Sequence, residues 1–286
     1  MRVFITGVTG QLGYDLAKSL EAEGIDYKGV GSADLDITDA DAVREMLLAY
    51  MPDVVVHCAA YTNVDKAEEE PDKAYAVNVT GTTNLAEVCK EIDAAMVYIS
   101  TDYVFPGNGS EYYQTESAKA PLNVYGKSKL MGELAVQEIL EQYYIVRTSW
   151  VIGIHGKNFV KTMLKLSETR DSLNIVDDQI GSPTFTMDLE PLLCSIIKTE
   201  KYGVYHATNE GICSWADFAE EIFRLAGRPV TVNRVTSEEY GAKATRPLNS
   251  RLSKESLDQG GFPRLPDWKN SLQAYLNEYI SAGESV

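Results

Sequence analysis

Thr6-Gly7-Val8-Thr9-Gly10-Gln11-Leu12-Gly13 is the stretch on which the fold turns. It follows a β-prone run, Val3 to Thr6. It opens a segment, Gln11 to Glu23, in which Leu12, Leu16 and Leu20 recur at helical spacing. A strand, a glycine-rich turn and a helix in this order can cradle a dinucleotide. Gly7 permits the tight turn, Gly10 lets backbone approach a pyrophosphate, and Gly13 lets the helix pack on the sheet. The helix N-terminus then offers free N–H groups and the positive end of its dipole.

Outward from that turn, strand-like and helix-like patterns alternate. Asp26–Val30 reads as a strand, Thr38–Tyr50 as a helix capped by Thr38, and Val54–Cys58 as a strand covered on both faces. Pro71–Ile92 reads as one long helix, Met96–Ser100 as a strand, Leu122–Leu140 as a helix and Tyr144–Ser149 as a strand. This rhythm predicts an α/β protein with a Rossmann-type, doubly wound parallel sheet. After Trp150 glycine and proline become frequent. Shorter helices are predicted at 158–169, 187–198, 214–226 and 268–280, with Ser214 and Asp217 spaced as a capping box. The expectation is a dinucleotide-binding domain over 1–150 and a smaller mixed α/β substrate lobe over 151–286, with chain segments able to cross between them. The tail, Ser281–Val286, is expected to fray.

The 286 residues carry 26 Lys and Arg against 42 Asp and Glu, a formal charge of −16. Such a field repels nucleic-acid backbones and anionic lipid, so neither is an expected partner. No apolar run approaches the roughly 20 residues needed to span a bilayer. The N-terminus enters a strand pattern at once, leaving no room for a signal peptide, so the expected location is cytoplasmic. The four cysteines show no C-x-x-C spacing and read as reduced, packed thiols. His57, His155 and His206 are not spaced as metal ligands, and no metal site is expected.

Two further motifs carry chemistry. Tyr125 and Lys129 stand at i and i+4, on one helix face. A cation one turn away favours the phenolate, so Tyr125 is a candidate to give a proton to a carbonyl oxygen as hydride reaches its carbon. Lys129 can also donate to a nicotinamide ribose. Ser100-Thr101-Asp102 ends the fourth strand, where doubly wound sheets bind ligands, and the Thr101 hydroxyl can bond the reacting carbonyl. Small residues at His57-Cys58-Ala59-Ala60-Tyr61-Thr62 let backbone lie close to a cofactor. The second strand runs into Val30-Gly31-Ser32, with neither an acid nor an Arg at its end, so the choice between NADPH and NADH stays open. Asp36-Ile37 can meet the adenine side. Arg246 and Arg251 sit in a predicted loop. Arg251, with a guanidinium fork suited to phosphate oxygens, is the candidate for a substrate diphosphate. Lys161 is next.

Together these residues resemble the extended short-chain dehydrogenase/reductase superfamily: T-G-x-x-G-x-x-G at 6–13, N-V-x-G-T-x-N-L at 78–85, S-T-D at 100–102 and Y-x-x-x-K at 125–129. Within it, the stretches 100–107, 121–129, 147–150, 158–163 and 246–252 resemble the dTDP-4-dehydrorhamnose reductase family. The resemblance implies reduction of the 4-keto group of dTDP-6-deoxy-L-lyxo-4-hexulose to dTDP-L-rhamnose with NADPH or NADH. It implies catalytic roles for Thr101, Tyr125 and Lys129. Cofactor contacts would fall at Gly10-Gln11-Leu12, Asp36-Ile37 and Ala59-Ala60-Tyr61, and sugar-nucleotide contacts at Thr101, Asp102 and Trp150. Some members dimerise through magnesium held by acidic residues, one in the first helix. Here that position is Asp15, which leaves magnesium open and allows a monomer or a homodimer. Dehydratases of the superfamily carry Glu after the Thr-Asp pair, where this chain has Tyr103. A sugar-nucleotide 4-epimerase, a reductase of another 4-keto sugar, or a non-catalytic regulatory protein would share the fold.

Overall fold

The computed structural model describes residues 1–281, so all but the first residue of the tail expected to fray lies outside the described chain. The first half runs β1 (Arg2–Thr6), α1 (Gln11–Ala22), β2 (Asp26–Val30), α2 (Ala40–Tyr50), β3 (Val54–His57), α3 (Val64–Glu69), α4 (Pro71–Tyr75), α5 (Gly81–Glu91), β4 (Ala95–Thr101), α6 (Val124–Ile139) and β5 (Tyr143–Thr148). The second half runs β6 (Val151–Ile152), α7 (Phe159–Ser167), β7 (Ser172–Val176), β8 (Ile180–Gly181), β9 (Thr184–Phe185), α8 (Thr186–Ile196), β10 (Gly203–His206), β11 (Cys213–Ser214), α9 (Trp215–Leu225), β12 (Thr231–Val235), α10 (Ser237–Tyr240), α11 (Glu255–Gly260) and α12 (Trp268–Ser281).

Six parallel strands form the main sheet in the order β10-β5-β4-β3-β1-β2. The order reverses outward from β1 and β3, and the crevice lies at the carboxyl ends of these strands, as the doubly wound topology requires. Strand side chains alternate between two apolar layers. Val3, Ile5, Val54, Val56, Val97 and Val146 pack with α1 and α8, whereas Phe4, Val55, Met96 and Ile145 pack with α2, α5 and α6. Each fully buried aliphatic side chain contributes about 1.5–3 kcal/mol, so both faces hold the strand ends rigidly.

The lobes interleave along the chain. β10 adds to the main sheet, α8 packs on α1, and Leu257 of α11 joins the same core. The second lobe has its own core, built from α7, α9 and α12 around Phe185, Phe218 and Trp268. Two-stranded pairs β7·β12 and β6·β9 are parallel, and β8·β11 is antiparallel.

Two expected elements differ. The helix predicted from Thr38 begins at Ala40, because the Asp39 carboxylate caps it, bonding Asp41 N and Ala42 N, each at 3.1 Å. Thr38 is held outside by Asp36, which accepts from its N–H at 2.9 Å and its hydroxyl at 2.7 Å. The long helix predicted over 71–92 is α4, a π-helical turn at Ala76–Thr80, and α5. Such wide turns often mark functional sites. Here the turn buries the Asn78 side chain, which accepts from Tyr61 N at 2.8 Å and donates to Tyr61 O at 3.1 Å and Ser128 Oγ at 2.9 Å.

Candidate active site

A crevice of about 1030 Å³ runs along the carboxyl edge of the sheet. One wall is the glycine-rich turn. Gly7 takes φ +72°, and a Cβ there would lie 2.6 Å from Ala59 N; a Cβ on Gly13 would lie 2.4 Å from Gly7 O. Those two glycines therefore bring three backbone segments into contact. A Cβ on Gly10 would approach only Gly7 O, at 3.2 Å, so its bare face opens into the crevice. No side chain caps α1, and its first-turn N–H groups remain available to an anion. Gln11, Leu12, Asp36, Ile37, Ala59, Ala60 and Tyr61 all line the same crevice. Small Gly31 and Ser32 line it at the end of β2. This lining fits an extended dinucleotide.

Thr101, Asp102, Tyr125, Lys129 and Trp150 line it as well. Asn123 caps α6, its side chain accepting from Gly126 N at 2.8 Å and donating to Thr245 O at 2.8 Å. A Cβ on Gly126 would lie 2.3 Å from Tyr103 O, so glycine allows the helix start to press against the turn after β4. That contact delivers Tyr125 beside Thr101, with the Tyr103 and Tyr125 rings edge-on at 5.4 Å. Burial pushes the Tyr125 phenol up to about 12, opposed by the Thr101 hydroxyl. The Tyr125 proton is therefore held firmly in the free protein. Lys129 is only 2% exposed, its Nζ 3.9 Å from the centre of the Tyr98 ring. Burial draws its pKa down to about 7, against the pull of Glu133.

Asp102 is 2% exposed and accepts hydrogen bonds from the Thr101 hydroxyl, at 3.0 Å, and from the Ser250 hydroxyl. Burial raises its pKa to about 6. Trp150 sits at φ +48°, a left-handed conformation unusual for a bulky residue, and stacks on Trp215 at 3.8 Å. Strain of this kind clusters at functional sites. Trp215 lines the crevice too and was not singled out by sequence reasoning, while Asn78 and Ser250 fall in the stretches 78–85 and 246–252 without a role being read for them. Their partners are remote in sequence, so no local spacing shows what they touch.

Arg251 does not line the crevice. Its guanidinium donates to Asn249 Oδ1 at 2.8 Å, while Arg246 forms a two-pronged pair with Asp65 at 2.6 and 3.1 Å. Lys161 donates to Ile154 O at 2.6 Å, and Lys157 is the cation of that segment lining the crevice. His57 is a satisfied core residue between Thr6 and Thr82, its pKa lowered to about 3 by burial. All four cysteines are free thiols. Asp15 accepts a 2.5 Å bond from Thr186 at the lobe junction. Among the described residues no helix is long and apolar enough to cross a membrane.

Residues 1–281 match the family model of the RmlD substrate binding domain. The chain is 42% identical over 281 residues to the spore coat polysaccharide biosynthesis protein SpsK of Bacillus subtilis, covering 98% of this chain and 99% of SpsK. It is 38% identical to the dTDP-4-dehydrorhamnose reductase of Escherichia coli, over 98% of this chain and 99% of that one. The crystal structure of dTDP-4-dehydrorhamnose reductase from Bacillus anthracis in complex with NADP superposes with a TM-score of 0.95 at 44% identity, covering 97% of this chain and 99% of that one. UDP-glucose 4-epimerase of Thermus thermophilus, at 19% identity and a TM-score of 0.82, shares the fold.

Proposed function

The chain belongs to the dTDP-4-dehydrorhamnose reductase family, and from that premise we propose how its crevice performs the reduction. The protein is an NADP-dependent oxidoreductase that reduces dTDP-4-dehydrorhamnose to dTDP-rhamnose. NADPH, when bound, supplies the hydride. The turn Gly7–Gly13 holds the pyrophosphate on the N-terminus of α1. Asp36 and Ile37 meet the adenosine, and Ala59-Ala60-Tyr61 lie along the nicotinamide half.

The observation that carries the reading is the convergence of Thr101, Tyr125 and Lys129 on one crevice with that turn. Thr101, its hydroxyl turned from Asp102 toward the ligand, donates to the sugar carbonyl and fixes its direction. Tyr125 gives its phenolic proton to the carbonyl oxygen as the carbon becomes tetrahedral. Its high intrinsic pKa keeps the proton in place until the oxygen becomes basic. Lys129 stabilises the phenolate that forms and bonds the nicotinamide ribose. Trp150, braced by Trp215, shapes the sugar pocket with Asp102. Lys157 on the crevice lining is a cation available to the diphosphate, whereas Arg251, one residue beyond Ser250, would reach it only by turning from Asn249. We read the reaction as cytoplasmic, a reducing compartment that suits four free cysteines.

The test is NADPH oxidation followed at 340 nm with dTDP-4-dehydro-L-rhamnose, and identification of the product. Stoichiometric dTDP-L-rhamnose is expected. Interconversion of sugar nucleotides without net NADPH oxidation would instead indicate an epimerase.

A further inference from the structure

Behind the crevice, one turn along α6 from Lys129, lies an ion pair that the reaction as described does not use. Glu133 and Arg147 are each 1% exposed, and Arg147 Nε and Nη2 reach the two Glu133 oxygens at 2.8 and 2.7 Å. Ser100 Oγ donates to the same carboxylate at 2.5 Å. Arg147 is in turn fixed by Thr115 O at 2.9 Å and lies 3.3 Å from His206 Nε2. Glu133 is thus clamped from β4 and β5 and cannot swing away. Burying such a pair costs desolvation that apolar residues of similar volume avoid, so stability alone is a weak account of it.

We propose that Glu133 is a positioning residue for the reduction: it is the fixed counter-ion that keeps Lys129 protonated, with Arg147 and Ser100 holding it at its post. The groups facing Lys129 are His57 and Cys58 from the end of β3, Tyr98 from β4, and Tyr125 and Glu133 on its own helix. Burial keeps four of them uncharged at neutral pH. His57 is pulled down to about 3, Cys58 and Tyr125 are pushed up to about 12, and Tyr98 is driven well above its ordinary value. Asp102, in the turn after β4, faces Tyr125 rather than Lys129. Among these groups Glu133 is the anion. Its field opposes the desolvation that lowers Lys129, and a buried cation near pKa 7 without it would titrate below neutrality.

The inference rests on the reading that Lys129 acts as a cation, and the experiment separates the two. Lys129→Met tests that reading: near-parent turnover would overturn it, and with it the inference. The decisive variant for Glu133 is Glu133→Gln combined with Arg147→Met, which removes both members of the ion pair so that Arg147 is not left as a second uncompensated buried cation beside Lys129. The pH profile of kcat/KM for the sugar nucleotide should then lose activity on its alkaline side about 1–3 pH units earlier than the parent, with NADPH affinity retained at low pH. Glu133→Asp keeps Arg147 paired and withdraws the charge by one methylene, so its alkaline limb should move the same way by less. If Lys129→Met is inactive but both Glu133 variants keep the parental limb, Glu133 serves only to neutralise Arg147 and the inference is overturned.

Discussion

The two walls of the crevice are made by opposite means. The wall of the first lobe is largely backbone: Gly7, Gly10, Ala59 and Ala60 present main chain, and its contacts are between neighbouring βα turns. The wall where the two lobes meet is built from side chains that join across long stretches of sequence. Trp150 stacks on Trp215, Ser250 reaches Asp102, and Gln11 Oε1 accepts from Gly153 N at 2.8 Å and Asn158 Nδ2 at 3.2 Å. Backbone recognition needs small residues at fixed spacing. It suits a cofactor whose phosphates are the same whatever the substrate. Side-chain recognition can be altered residue by residue and suits the partner that varies.

The largest effect should come where the walls meet. Tyr125→Phe keeps the ring against Tyr103 and removes only the hydroxyl. Loss of a positioned general acid should lower kcat by roughly 10²–10⁴-fold while the Kd for NADPH stays close to the parent's. Stopped-flow reduction and a fluorescence titration of NADPH measure the two separately. A variant that turns over normally removes Tyr125 from proton transfer; one that also loses NADPH breaks the division between a binding wall and a reacting one.

The same division explains what could be read from sequence. The strand–turn–helix at 3–23, the Y-x-x-x-K pair and the S-T-D turn are local, and each lies where its spacing placed it. The π turn at 76–80 was hidden because its cause is tertiary: Gly81 packs against Ile37, and Asn78 is turned inward to hold Tyr61 and Ser128. Nothing in residues 71–92 alone distinguishes it from a continuous helix. Trp215 was hidden for the same reason, since its partner lies in another lobe segment. Arg251, chosen for its chemistry, is turned toward Asn249 by the loop that places Ser250 on Asp102.

A side chain on the backbone wall should produce the next largest effect. In Gly10→Val the Cβ would lie 3.2 Å from Gly7 O, a tight contact that the turn must ease by a few tenths of an ångström, and the branched methyls enter the crevice. Losing one charge-assisted phosphate contact, worth about 1.5–3 kcal/mol, should weaken NADPH roughly 10- to 150-fold. Thermal unfolding of the cofactor-free variant should fall much less than that of Gly13→Ala, whose Cβ meets Gly7 O at 2.4 Å. Unchanged NADPH affinity in folded Gly10→Val would show that the turn is only structural.

On the opposite wall, Trp215→Ala should mainly raise the KM for the sugar nucleotide. The stacked pair is worth about 0.5–1.5 kcal/mol beyond its buried area, so an increase of roughly 2- to 13-fold is expected, with the NADPH KM nearly constant. Equal effects on both constants would mean that Trp150 and Trp215 organise the whole crevice rather than its sugar end.

The smallest effect is on stability and concerns the floor between the walls. Asp102 is buried, and its folded pKa of about 6 exceeds the ordinary carboxylate value. Between pH 4 and 6, on the order of those two values, the folded protein keeps a proton that the unfolded chain releases. Stability therefore falls as pH rises through that window, by about 2–3 kcal/mol at most, and the loss is complete above it. The carboxylate is retained at a cost, as expected of a group that serves the ligand rather than the fold. Asp102→Asn keeps one acceptor oxygen for one of the two hydroxyls, offers an N–H donor to the other, and cannot ionise. In the cofactor-free state it should melt roughly 2–8 °C above the parent at pH 7.5, with the two curves converging near pH 4. A gap that persists unchanged at pH 4 would assign the gain to packing or hydrogen bonding. A variant less stable than the parent at pH 7.5 would show that the Ser250 and Thr101 bonds outweigh the desolvation of the charge, making Asp102 part of what holds the lobes together.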